Sequence, residues 1–175
     1  MGTSALEGAR HLVLKPGFPT VLLPLVSVLV ELVNYLIALP IVFVALAVTT
    51  GIPAESLFLP VLIVIQVVLV AGVVLFTAPL QLFFKDIRQI VALVVTLGFW
   101  LTPIFYTQRQ VPEAFQPLYQ ANPMAYLIEA QRAILLEGTW PSFSAIGWVA
   151  LASVLTLIGG YALFMAMRQT LPEQL

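Results

Sequence analysis

A short charged segment, Lys85-Asp86-Ile87-Arg88, separates two long apolar runs of the sequence. A charged side chain at the centre of a lipid bilayer costs about 2.5–3.5 kcal/mol on insertion scales, so this segment has to reach water. The run that follows, from Val91 to Tyr106, ends in a group of aromatic residues, which collect where a span leaves the hydrocarbon. The pattern predicts a loop at one membrane surface followed by a crossing to the other.

The composition agrees with an integral membrane protein. Hydrophobic residues make up 61% of the chain and charged residues only 9%, whereas a soluble domain carries about 25% charged residues. The net charge of −1 excludes nucleic-acid binding driven by a basic surface. Cysteine is absent and His11 is the single histidine, so the chain has no thiol nucleophile and no His/Cys metal site.

Apolar runs of membrane-crossing length predict an all-α, polytopic membrane protein with four transmembrane helices, since about 20 apolar residues cross the hydrocarbon core. We expect one transmembrane domain over residues 1–175, in which residues 1–20 form a cytoplasmic or interfacial segment. The predicted spans are 21–48, 57–80, 89–106 and 145–167. Small residues allow helices to approach closely, and they occur at Ala71, Gly72, Gly147, Gly159 and Gly160.

The segment 107–144 is too polar and too rich in proline to cross a bilayer alone. Within it, Asn122 is a favourable N-cap, Pro123 suits the first helical position, and Gly138 is a favourable stop. These signals predict a helix over 123–137, either at the membrane surface or re-entrant, between the third and fourth spans.

The distribution of lysine and arginine predicts the orientation. One side of the membrane would carry Arg10, Lys15, Lys85, Arg88 and Arg168. The other side would carry Arg109 and Arg132. The positive-inside rule therefore predicts that both termini and the loop at Lys85 are cytoplasmic, and that 107–144 is external.

Three polar residues, Glu31, Asn34 and Tyr35, share one face of the first predicted span because they are spaced i, i+3 and i+4. Glu31 lies about 15 Å along a helix that begins at Val21, at 1.5 Å per residue, which is too deep for easy contact with water. A carboxylate inside a membrane is a functional candidate by default. Two interpretations stay open: a polar site for transport, or a hydrogen bond that joins two spans.

Several short motifs occur in an order and spacing that resemble a known family. They are Lys15-x-x-Phe18-Pro19 with Leu23-Pro24-Leu25, Phe84-Lys85-Asp86-Ile87-Arg88, Pro103-Ile104-Phe105-Tyr106, Val111-Pro112-Glu113, and Asn122-Pro123 followed by Leu127-Ile128-Glu129-Ala130-x-Arg132. Over most of its length the chain resembles the membrane (permease) subunit of ABC-type polysaccharide exporters, the class that exports O-antigen and teichoic acid. Such permeases usually have six spans, of which about two precede the Phe-Pro motif, so we expect this chain to lack the N-terminal spans.

The resemblance implies a permease subunit that helps to move lipid-linked polysaccharide, or a similar glycoconjugate of the cell envelope, across the bacterial inner membrane. Its expected partners are a second permease copy, membrane lipids, the glycan and a separate ABC ATPase subunit, but no nucleic acid. The sequence contains no G-x-x-x-x-G-K-[ST] motif, so ATP and magnesium are expected on the ATPase. No cofactor, metal site or catalytic group is expected in this chain, which we interpret as a transport subunit and not an enzyme.

The resemblance also implies roles for individual residues. Coupling to the ATPase is expected at Lys85, Asp86 and Arg88, and more weakly at Arg10 and Lys15. A simpler interpretation of the same charges is that they anchor the loop in the cytoplasm.

Aromatic residues in similar exporters line the translocation path and stack on sugar faces. The corresponding candidates are Phe99, Trp100, Phe105 and Tyr106, together with Glu31, Asn34 and Tyr35. The alternative for the rings is an interfacial aromatic belt. The outer gate helix would comprise Asn122, Pro123, Glu129 and Arg132, where the last two are expected to pair on one helix face.

Three other functions stay open at this point. The first is an ABC exporter of drugs or lipids with the same architecture. The second is a secondary transporter or channel that works without ATP and uses Glu31 as a proton or ion site. The third is an intramembrane enzyme, which ranks last because no Ser/His/Asp or paired-carboxylate arrangement is visible.

Overall fold

The computed structural model describes residues 19–84, 86–102 and 112–168, and the regular elements in these ranges are all helical. The long helices are α1 (Leu22–Thr49), α2 (Leu59–Phe83), α3 (Ile87–Leu101) and α6 (Phe143–Met167). Between α3 and α6 lie two short helices, α4 (Gln116–Ala121) and α5 (Pro123–Arg132), and a π-type turn extends α5 over Ala133–Glu137. Short 3₁₀ turns occupy Ala54–Phe58 and Glu113–Phe115. The predicted all-α class is confirmed.

Three helical segments are long and apolar enough to cross a membrane. They are Leu22–Thr49, Ala54–Gln81 and Phe143–Met167, while α3 is a shorter apolar helix. Their bounds agree within a few residues with three of the predicted spans, since a long apolar run in lipid has to satisfy its backbone hydrogen bonds within its own helix. The count of four crossings and the cytoplasmic position of both termini stay predictions.

Helix α3 runs from Ile87 to Leu101, so it begins two residues before the predicted span 89–106, of which residues 103–106 lie outside the described residues. The backbone bends at Thr102, whose hydroxyl donates to the carbonyl oxygen of Gly98 at 2.6 Å. The residue before a proline is disfavoured in the helical region, and Pro103 follows in the sequence. The proline signal therefore accounts for the end of α3 at Leu101.

The described chain forms two compact units. The first contains the chain up to Ile37, Val67–Ala92 and the chain from Ser153 onward; the second contains Ala38–Gln66 and Leu93–Ala152. The core of the first unit comprises Leu75, Ala78 and Phe164, on which Val21, Leu23, Leu25 and Leu157 pack. The three membrane-length helices each contribute residues to both units.

Helices α2 and α6 approach each other through glycine in the first unit. A Cβ atom added to Gly72 would lie 2.6 Å from the backbone nitrogen of Leu157, and one added to Gly160 would collide with the carbonyl oxygen of Gly72. The predicted close packing at these two glycines is confirmed. Within the described ranges, Cβ atoms at Gly147 and Gly159 would meet no heavy atom within 4 Å, so a packing role of these two glycines stays a prediction.

Many large apolar side chains of α1 are exposed. Ile37 is 67% exposed, Ile41 73% and Val48 81%. Large exposed apolar areas are rare on a soluble monomer, and they agree with a helix that crosses a membrane.

Candidate functional site

The start of α5 has the capping arrangement that the sequence predicts. Asn122 has an extended backbone, and its side-chain oxygen accepts a hydrogen bond from the backbone nitrogen of Met124 at 3.0 Å. Pro123 occupies the first turn of the helix, where its missing N–H costs nothing. The amide nitrogen of Asn122 also donates to the hydroxyl of Thr102 at 3.2 Å. One side chain therefore both starts α5 and connects it to the end of α3.

The end of α5 also follows the prediction. The π-type turn Ala133–Glu137 stops at Gly138, whose φ of 60° and ψ of 35° lie in the left-handed region that glycine adopts without strain. The backbone nitrogen of Thr139 donates to the carbonyl oxygen of Ala133 at 3.0 Å and closes this turn. The predicted extent 123–137 is confirmed, although the last turn is wider than an α-helical one.

Apolar packing and a hydrogen bond to α2 also hold α5 within the second unit. Ala125, Leu127 and Ile134 are each at most 1% exposed. The amide nitrogen of Gln131 donates to the side-chain oxygen of Gln66 on α2 at 2.8 Å. We did not predict this pair from the sequence; the signal for it was that Gln66 is the strongly polar residue within an otherwise apolar span.

Three aromatic rings form a cluster at the start of α6, which the sequence analysis also missed. Trp140 stacks on Phe143 with a centroid distance of 6.1 Å and an angle of 27°. Phe58 meets both rings edge-on, at 6.0 Å from Trp140 and 5.9 Å from Phe143. Such geometries stabilise aromatic pairs beyond their buried area.

A cavity of about 720 Å³ lies between α5, its π-type turn and the start of α6. The side chains that give it chemistry are those of Tyr126, Glu129, Arg132, Glu137, Trp140 and Ser142. The predicted gate residues Glu129 and Arg132 thus share one wall. The other four side chains were not predicted from the sequence. Two carboxylates and one guanidinium give the lining a formal charge of −1. The ion pair between Glu129 and Arg132 stays a prediction.

The intramembrane polar residues lie in the first unit. The amide nitrogen of Asn34 and a carboxylate oxygen of Glu31 are 3.4 Å apart, and both residues are exposed. Tyr35 is partly buried. This contact places Glu31 and Asn34 on one face of α1, as predicted, and the role of the face stays a prediction.

Two of the predicted path aromatics are adjacent and exposed on α3. The rings of Phe99 and Trp100 lie 5.8 Å apart in an edge-to-face arrangement, with exposures of 45% and 67%. Phe105 and Tyr106 lie outside the described residues.

The charged segment begins α3. The carbonyl oxygen of Asp86 accepts hydrogen bonds from the backbone nitrogens of Gln89 and Ile90, each at 3.0 Å, and the side chains of Asp86 and Arg88 are exposed. The other predicted coupling residues lie outside the described ranges; they are Arg10, Lys15 and Lys85. No group of three His, Cys, Asp or Glu side chains suited to a metal occurs in the described ranges.

Comparison with known proteins gives consistent matches along the chain. Residues 13–136 match the family described as ABC-2 type transporter. An O-antigen export system permease protein RfbA of Klebsiella pneumoniae is 28% identical over 165 residues, which cover 93% of this chain and 63% of that protein. The protein of the same name from Myxococcus xanthus is 28% identical over 178 residues, covering 99% of this chain and 68% of the relative. The chain thus spans 63% of the length of the Klebsiella relative.

Proposed function

Since the chain belongs to the ABC-2 type transporter family, we propose that it is the permease subunit of an ATP-driven exporter of polysaccharide. It is a multi-pass protein of the inner membrane. The observation that carries the proposal is the similarity to O-antigen export permeases over 93% of the chain. That similarity extends beyond the family match into α6, and so it includes the gate helix, its cavity and the last membrane-length helix.

The energy source in this proposal is a separate ATPase subunit, which binds ATP and magnesium. The sequence has no P-loop motif of its own, and the chain acts in transport without catalysing a reaction. Asp86 and Arg88 are exposed where α3 begins, so both side chains are accessible to a docked protein. Two permease copies with two ATPase subunits form the transporter.

The substrate in this proposal is a lipid-linked polysaccharide or a similar glycoconjugate. A sugar chain has apolar C–H faces and neutral hydroxyls, so it slides along aromatic walls without strong charge contacts. Phe99 and Trp100 offer such a wall on α3.

Helix α5 acts as the outer gate in this scheme. Asn122 connects it to Thr102 at the end of α3, and Gln131 connects it to Gln66 on α2. Because both contacts join side chains directly, a displacement of α2 or α3 is transmitted to α5 without passing through a loop.

The first test is genetic. Deletion of the gene in its own organism should abolish surface polysaccharide, and the gene supplied in trans should restore it only together with an intact ATPase partner. Transport that persists after ATP depletion would instead support the secondary-transporter alternative with Glu31 as its ion site.

The second test addresses coupling. Reversing both charges, Asp86→Arg with Arg88→Asp, should lower co-purification of the ATPase at least fivefold while membrane insertion is unchanged. The matched control is Arg168→Glu, which reverses an exposed charge at the end of α6. Equal ATPase recovery from the double variant and the control would contradict the coupling role.

A further inference from the structure

The cavity beside α5 has the dimensions of a small-molecule site. Its volume of about 720 Å³ lies within the roughly 300–1,000 Å³ that ligand pockets occupy. Its walls come from α5, the π-type turn, the chain at 140–142 and the first turn of α6, which all belong to the same compact unit. Ala130 and Ile146, which line it, are 4% and 8% exposed. These two apolar residues of the wall are thus packed into the protein.

Trp140 supplies a flat apolar surface that is in contact with two other rings. Phe143 stacks on one side of the ring and Phe58 meets it edge-on, yet Trp140 is 57% exposed and lines the cavity. A pyranose ring has an apolar C–H face of comparable size. Packing that face on the indole removes apolar area from water and leaves the hydroxyls at the perimeter free for polar contacts.

Polar groups surround this surface in a combination that suits hydroxyls. The carboxylates of Glu129 and Glu137 are acceptors for sugar O–H groups, the Arg132 guanidinium is a donor, and the Ser142 hydroxyl is both. The side chain of Glu137 is exposed and that of Glu129 is partly buried. Hydrogen bonds to ionised groups are about twice as strong as neutral ones, so a few such contacts orient a sugar on the ring.

The charge of the lining selects between ligand classes. Two carboxylates outweigh one guanidinium, so a phosphate group or an acidic sugar meets a net negative wall. A compact cation is repelled by the Arg132 guanidinium in the same wall. A neutral sugar is repelled by neither kind of charge, and its hydroxyls hydrogen-bond with carboxylates and guanidinium alike.

We propose that this cavity is a binding site for a neutral hexose unit, with Trp140 as the stacking surface and Glu129, Arg132 and Glu137 as the hydrogen-bonding groups. This inference rests on the proposed function for the source of the sugar, because the hexose unit belongs to the glycan that passes the gate helix α5. The binding itself is a property of the cavity and is testable without transport.

The experiment uses the full chain, purified in detergent. Ligand-observed NMR titrations are made with the methyl glycosides of glucose, galactose, mannose and N-acetylglucosamine, with methyl galacturonide, with inorganic phosphate and with tetramethylammonium. At least one neutral glycoside should bind, and galacturonide, phosphate and tetramethylammonium should each bind at least tenfold more weakly. Binding of none of the neutral glycosides, or preferential binding of an anion or of the cation, overturns the proposal.

Variants assign the binding to this cavity. Trp140→Ala should weaken the neutral glycoside about tenfold, Trp140→Phe should retain most of the affinity, and Glu137→Gln should narrow the preference for neutral over acidic sugar. The matched control is Trp148→Ala, which removes an indole of the same 57% exposure that does not line the cavity. An equal loss in Trp140→Ala and Trp148→Ala overturns the assignment. Circular dichroism and size exclusion confirm that each variant is folded.

The binding and export experiments separate this inference from the proposed function. If glycoside binding depends on Trp140 but the gene deletion leaves surface polysaccharide normal, the binding site is supported and the role in export is contradicted. If the Trp140→Ala protein has lost glycoside binding but still exports polysaccharide normally, the site does not contact the exported glycan. The role in export is then unaffected.

Discussion

Two neighbouring glycines on α6 allow a direct test of how closely the helices pack. Gly159 and Gly160 receive the same substitution, to alanine, on the same helix. A Cβ atom at Gly160 would collide with the carbonyl oxygen of Gly72 and would lie 3.1 Å from the backbone nitrogen of Phe76, whereas one at Gly159 would face open space. We therefore expect Gly160→Ala to be destabilising and Gly159→Ala to be neutral or slightly stabilising.

The size of the effect follows from the separation of the helices. Non-bonded heavy atoms rest about 3.5–4.0 Å apart, so backbone atoms on α2 have to move by about half an ångström or more. That movement loosens the neighbouring core of Leu75, Ala78 and Phe164. Overpacking of this kind costs about 1–3 kcal/mol, which corresponds to a fall in Tm of roughly 2–12 °C for a chain of this size. Alanine at Gly159 instead gains up to about 1 kcal/mol of helix propensity.

The assay is thermal unfolding in detergent, followed by fluorescence-detected size exclusion, with membrane protein levels measured in parallel. The reasoning requires a lower Tm for Gly160→Ala than for Gly159→Ala. Equal Tm values for the two variants would refute the close contact between α2 and α6, because the two substitutions are chemically identical.

Three further predictions concern α5 and the path. Asn122→Ala should lower the free energy of unfolding by about 1–2 kcal/mol because it removes both the N-cap and the contact with Thr102, whereas Asn122→Asp should retain the cap. Thermal unfolding measures both variants, and equal losses of stability would contradict the capping role. The pair Gln66 and Gln131 should show a coupling energy of about 0.5–1.5 kcal/mol in a double-mutant cycle with alanine, and strictly additive losses would mean that the hydrogen bond contributes nothing. Trp100→Ala should reduce surface polysaccharide more than it reduces protein level, and equal reductions would show that the ring only packs.

The local signals in the sequence determined the helices. A crossing needs a continuous apolar run with its hydrogen bonds inside one segment, so α1, α2 and α6 were predictable within a few residues. The helix 123–137 was predictable for a related reason: Asn122, Pro123 and Gly138 act on the backbone within one turn of themselves. The motif order also led to the correct family, because each motif is contiguous in the sequence.

The tertiary structure decided which faces meet. Nothing in the sequence distinguishes Gly160, which is in backbone contact with α2, from Gly159, which faces open space. The hydrogen bond between Gln66 and Gln131 joins residues 65 positions apart, and the cavity combines a helix, a turn and the beginning of another helix. Propensity and capping act over neighbouring residues, whereas the pairing of distant side chains depends on the relative rotation and spacing of helices. That rotation is set by packing, which no single segment specifies alone.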